Sequence, residues 1–196
     1  VLSIDPDSPL VYEYLGTSWQ KLSEEGKAEQ VYRAGLARGI ESARLHHELG
    51  RIAAKRGEQD VAEKELRVAL NLDPRSVVIH FDLANLYRRE GELDRAIEHY
   101  EQALELNPSY LWAWNGMAMT LAAQNLMPEA TEAFRRVVEI APKGAPGLFN
   151  LAVQLERTGR LKEAASTYQD FLDLAVGAEL ESQRRLAQQA LARLAE

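Results

Sequence analysis

The chain has no cysteine among its 196 residues. Disulfides, zinc–thiolate centres and thiol catalysis are excluded together. A cysteine-free chain suits reducing and oxidising surroundings alike, so cytoplasm and periplasm both stay open. No run of apolar residues approaches the ~18 needed to cross a bilayer, so membrane insertion is not expected. Basic residues are in the minority, 23 Lys and Arg against 30 Asp and Glu, giving a formal net charge of −7. That balance argues against a nucleic-acid binder working by phosphate neutralisation. No phosphate-cradling glycine loop, paired-histidine zinc helix or serine nucleophile elbow is present. The run from Asp5 begins like a calcium loop but lacks its central glycine and distal glutamate, and reads as a helix stop followed by a new helix.

What the sequence does have is a period of 34 residues. Alanine recurs at Ala28, Ala62, Ala96, Ala130 and Ala164. Four residues on stand Tyr32, Leu66, Tyr100, Phe134 and Tyr168, and thirteen residues earlier Leu15, Leu49, Leu83, Met117 and Leu151. The position after that leucine column is always small: Gly16, Gly50, Ala84, Ala118 and Ala152. Twelve residues after the alanine come Ile40, Pro74, Pro108, Pro142 and Val176. Within one unit, Ile79, Leu83, Leu86 and Tyr87 recur at helical spacing and define an amphipathic first helix. Gly91, in a column with Gly57 and Gly159, supplies the positive φ that ends it. A second helix carries Ala96, Ile97, Tyr100, Ala103 and Leu104 on one face and stops before Pro108. The two small columns let the paired backbones approach closely, and the aromatic column fills the space beside their crossing.

These columns resemble the tetratricopeptide repeat. The resemblance implies an all-α fold, a right-handed α-solenoid of tandem helix-turn-helix repeats with a C-terminal capping helix. It places full repeats at residues 43–76, 77–110 and 111–144, a degenerate one at 9–42 and a last one at 145–177. In the degenerate repeat Ser23 replaces the turn glycine, Gly35 a helix alanine and Ile40 the proline. Residues 178–196 break the period. Leu180, Ala187, Leu191 and Leu194 form a stripe on an otherwise polar helix, as a solenoid cap requires. Residues 1–8 align with the end of a repeat, Val1 to Pro6 matching Ala103 to Pro108, so the chain reads as part of a longer array.

The resemblance also implies a concave surface lined by the first helices, on which another protein or peptide lies extended. The matching positions include Arg44, His47, Arg51, Lys55, Phe81, Asn85, Arg88, Trp112, Asn115, Met119, Phe149 and Val153. Across all positions mapped this way seven are basic, Lys21, Arg89 and Arg157 completing the set, and only Glu13 and Glu156 are acidic. A positive groove in a negative body would favour an acidic segment. The alternative is that these arginines form solvated intrahelical pairs, Arg88 among them. Toward the C-terminal half the groove turns apolar, which suits large apolar anchors, with Asn85 and Asn115 holding backbone amides. The family's carboxylate clamp for chaperone tails is not matched, since only Asn85 fits it.

The remaining candidates are weighed against packing. His46 and His80 lie one period apart and read as packing or solvent-contact residues, because a metal would need more ligands than His47 and Glu48 offer. His99 is expected to be exposed, and Trp114 to lie in the core. Trp112 is either a partial packing residue or an exposed anchor. No catalytic residue, metal or cofactor is expected. A scaffold for an extended, partly acidic peptide leads. A C-terminal regulatory or assembly arm of a larger enzyme (bacterial sulfatase-like hydrolases and glycosyltransferases carry such arrays) and self-assembly remain as alternatives.

Overall fold

A computed structural model describes residues 8–195. The expected repeat end at residues 1–8 therefore lies, but for Ser8, outside the described residues. The fold is all-α, and the described residues contain no strand. Contacts divide it into two compact units, the first ending at Leu106 and the second beginning at Asn107.

The first unit holds α1 (Pro9–Lys21), α2 (Glu25–Ala37), α3 (Ala43–Arg56), α4 (Gln59–Leu72), α5 (Val77–Glu90) and α6 (Leu93–Leu106). Successive helices pair as α1 with α2, α3 with α4 and α5 with α6. The hairpins stack through α2 on α3 and α4 on α5, while α1 meets α3 and α3 meets α5 side by side. The second unit holds α7 (Leu111–Ala123), α8 (Met127–Ile140), α9 (Ala145–Arg157) and α10 (Leu161–Leu174), then a 3-10 turn (Ala178–Leu180) and α11 (Glu181–Leu194). Its helices pack in the same successive manner, α11 lying on α10.

The repeated columns are the core. Ala28, Ala62, Ala96, Ala130 and Ala164 are fully buried, and Tyr32, Leu66, Tyr100, Phe134 and Tyr168 nearly so. Close approach explains the small column. A Cβ at Gly50 would come within 2.8 Å of Leu66 Cγ, and one at Gly16 would overlap the ring of Tyr32. Methyl-sized side chains are the most that fit where the helices cross, and Ala84, Ala118 and Ala152 are fully buried there.

Every hairpin turns in the same way. Gly57, Gly91 and Gly159 have φ of 79°, 80° and 73°, and the two non-glycine residues in that column, Ser23 and Asn125, have φ of 60° and 64°. The amide after each of these residues donates to the carbonyl five positions back: Glu24 to Trp19, Glu58 to Ala53, Glu92 to Tyr87, Leu126 to Leu121 and Arg160 to Leu155. This closure satisfies carbonyls that the helix end would otherwise leave bare.

The capping helix is thinly apolar. Ala187 and Ala190 are buried, whereas Leu180, Leu191 and Leu194 are only half-buried. Polar ties hold it: Arg193 reaches Glu156 at 2.9 Å and an Arg184 guanidinium N–H reaches the Ala175 carbonyl at 3.4 Å.

Candidate functional site

In the first unit the facing surfaces of α1, α3 and α5 enclose an open pocket of about 830 Å³. Arg51 and Lys55 of α3, Asp82, Asn85 and Arg89 of α5, and Gln20 and Glu25 from the first hairpin supply its polar lining. The helical register does this: residues three and four apart share a face, so each first helix contributes one strip.

The lining is cross-linked. Tyr32 donates its hydroxyl to Gln20 Oε1 at 3.1 Å, and Gln20 Nε2 donates to Glu48 Oε2 at 3.0 Å. Arg51 donates to the same Glu48 oxygen at 3.3 Å and lies 3.7 Å from Asp82. His47 Nε2 is 2.7 Å from Asp82 Oδ2. Lys55 pairs with Glu25 at 2.9 Å. Burial holds the Tyr32 phenol above its ordinary range, so it stays a neutral donor. Tyr100 donates to Asn85 Oδ1 at 2.8 Å, which fixes the amide with its NH2 as the group left to present.

The sequence-derived residues therefore divide by role. Arg51, Lys55 and Asn85 line the pocket together. Arg44 is exposed. His47 is buried and spends one ring nitrogen on Asp82. Phe81 is half-buried with its ring 6.2 Å from that of Tyr100. Arg88 is half-buried, and its Nε has no hydrogen-bond partner, so the intrahelical pair suggested for it is seen instead at Arg51 with Glu48. Asp82, Glu25 and Glu48 were not picked out by position. Glu48 and Asp82 share the sixth place of their repeats, and that recurrence was the signal available.

In the second unit Trp112 is 63 % exposed and Met119 45 % exposed on α7. Trp112 is thus the open aromatic of the two readings. Asn115 accepts from Asn150 Nδ2 at 3.1 Å, joining α7 to α9. Phe149 packs its ring 5.2 Å from Phe171 and 6.2 Å from Tyr168, and Val153 is half-buried.

Two expectations need correction. His99 is not exposed. It is half-buried, its Nδ1 3.0 Å from His80 Nδ1 and its ring 5.4 Å from that of Tyr87. Trp114 is half-buried and not core, because its indole N–H reaches out to the Pro108 carbonyl at 2.8 Å. His46 is half-buried and bound to Glu65 at 2.6 Å. Among the described residues no three His, Asp or Glu side chains converge on a point that could hold a metal.

The family model for the tetratricopeptide repeat matches residues 77–110, the hairpin of α5 and α6. Residues 77–110 are a tetratricopeptide repeat. Solved structures share the fold of the chain. MamA from Desulfovibrio magneticus RS-1 is 14% identical with a TM-score of 0.78, over 88% of this chain and 97% of that one. YrrB, described as a tetratricopeptide protein with an unusual peptide-binding site, is 18% identical with a TM-score of 0.75, over 95% and 93%. PilF of Pseudomonas aeruginosa is 16% identical with a TM-score of 0.77, over 94% and 87%. At these identities the likeness speaks to the tetratricopeptide fold alone. No curated protein matches the chain in sequence. No described helix is long and apolar enough to cross a membrane.

Proposed function

We propose that this chain binds an extended, partly acidic segment of another protein on the first-helix faces of its tetratricopeptide hairpins, and holds it without performing chemistry. The observation that carries the reading is the pocket shared by α1, α3 and α5, where α3 places Arg51 and Lys55, α5 places Asn85 and Arg89, and α1 places Gln20 around one open volume. An extended strand has backbone amides to satisfy and side chains alternating in direction. The fixed Asn85 amide suits the former.

Charge in the pocket is balanced more finely than a count of groove positions suggests, three basic residues against Glu25 and Asp82. The basic residues nonetheless remain exchangeable. Arg51 is 54% and Lys55 72% exposed at the side chain, and exposed pairs of this kind contribute only about 0–1 kcal/mol. A peptide carboxylate can displace Glu25 or Asp82 at little cost. In the second unit, taken by itself, the exposed Trp112 and Met119 offer apolar contact to a large side chain, aromatic anchors being frequent hot spots.

The test is fluorescence polarisation with defined nonapeptides, acidic, basic and neutral, each with and without one tryptophan. Acidic peptides should bind in a salt-sensitive manner. Arg51→Glu with Lys55→Glu should weaken them at least ~10-fold, because attraction at two positions becomes like-charge repulsion. Equal binding of acidic and basic peptides, or indifference to the double charge reversal, would remove the acidic preference. No binding by any extended peptide would remove the scaffold reading itself.

A further inference from the structure

The first unit carries one basic residue per first helix at the same place of the repeat. Lys21, Lys55 and Arg89 stand 34 residues apart, in the last turns of α1, α3 and α5, and all three are exposed. The negative end of a helix favours basic residues in its last turn, but that preference does not choose a face. In α3 it is also met by Arg56, which turns to Glu29 of α2 at 2.7 Å. Lys55 and Arg89 line the pocket instead. Their side chains lean the same way, each toward the hairpin before its own. Lys55 reaches Glu25 at 2.9 Å, and Arg89 donates to the Ala54 carbonyl at 3.5 Å. Because both lean alike, their charged heads keep the step of the helices that carry them.

That step has a length. α1 lies beside α3 and α3 beside α5, and packed helices stand about 8–10 Å apart. A flat strand returns a side chain to one face every second residue, about 6.6 Å along, and again at about 13 Å. A polyproline II chain returns one every third residue, about 9.3 Å along. A long side chain absorbs the mismatch of a strand at one step. Over two steps a strand read at every second residue falls about 5 Å short, and one read at every fourth overshoots by about 8 Å. The threefold chain keeps pace with all three helices.

We propose that the segment held on this face is a polyproline II stretch with an acidic residue at every third position, its carboxylates pairing with Lys21, Lys55 and Arg89. This rests on the acidic-segment reading above and adds a conformation and a register to it. A polyproline II backbone has no internal hydrogen bonds, so its carbonyls are open to the Asn85 NH2, which Tyr100 leaves free to present one turn before Arg89. Glu25 gives way at Lys55, whose side chain is 72% exposed, and exposed pairs of this kind are weak.

The test is fluorescence polarisation with three labelled peptides of equal composition. Each carries three glutamates among alanines and serines, at every second, every third or every fourth position. Spacing by three should bind about 3- to 5-fold tighter than either alternative, the worth of one exposed ion pair. Proline at the intervening positions should tighten that peptide and not the other two, since it presets the backbone. Lys21→Ala, Lys55→Ala and Arg89→Ala, all at exposed positions, should each become indifferent to the loss of one particular glutamate: the middle one for Lys55, an end one for each of the others. Equal affinity for the three spacings, or a preference for every second or every fourth position, overturns the register and leaves the acidic-segment reading standing. No binding of any of the three, or equally tight binding of their lysine counterparts, removes that reading and the register with it.

Discussion

At the residue scale, backbone conformation is kept even where the favoured residue is not. Ser23 and Asn125 hold the left-handed turn that glycine holds in the other three hairpins. A side chain with a Cβ costs about 1–2 kcal/mol in that conformation, and asparagine tolerates it better than serine. Ser23→Gly should therefore raise stability in urea unfolding by about 0.5–1 kcal/mol, after the greater freedom of glycine in the unfolded chain is offset. Asn125→Gly should gain less. At the helix crossing the sign reverses: Ala96, fully buried, has no room to grow. Ala96→Leu should cost about 1–3 kcal/mol through overpacking, read in the same experiment.

At the scale of the helix, the hairpin of α5 and α6 contains a pair of imidazoles that favours the uncharged state. Burial, followed by the neighbouring His80, pushes His99 down to about 4, and burial pushes His80 down as well. Arg95 and Arg67 lower His99 further, while Glu98 opposes them. In the unfolded chain both rings take a proton near pH 6.5, so the unfolded state binds more protons below that pH. Stability should accordingly be complete above about pH 6.5 and fall as pH drops toward 4, by on the order of 1–2 kcal/mol after solvent screening. Replacing the pair by the residues at the same places one repeat later, His80→Trp with His99→Ala, should flatten that slope. The pair also marks the limit of sequence reading. The 34-residue columns were legible because identical crossings impose identical size limits at Gly50, Ala84 and Ala96. The burial of His99 was not, because it depends on rings 19 and 12 residues away that no column predicts. The pairing of Glu48 and Asp82 with Arg51 was not legible for a related reason: both sit beside the outward positions and reach Arg51 sideways, across one turn and across helices.

At the scale of the whole chain, α11 buries little apolar mass, Ala187 and Ala190, and adds exposed polar contacts to it. The hydrogen bond from Arg193, and secondarily that from Tyr168, keeps the Glu156 carboxyl below its usual range. Removing residues 178–196 should uncover the α10 surface against which Ala187 and Ala190 are buried. The shortened chain should scatter more light at equal concentration and unfold at lower urea, as repeat arrays do without a polar terminal element. Arg193→Ala alone should change stability by no more than about 1 kcal/mol, since the pair is exposed at its arginine end.

The three tryptophans sit in three different surroundings. Trp112 stands open on α7, Trp114 is tethered through its indole N–H, and Trp19 lies half-buried beneath the Lys27 ammonium at 4.7 Å. The molecule thus carries its own optical probe. Acrylamide should quench Trp112 first, leaving a bluer residual emission from the other two. A ligand laid across α7 would then announce itself as lost quenching, without any label attached.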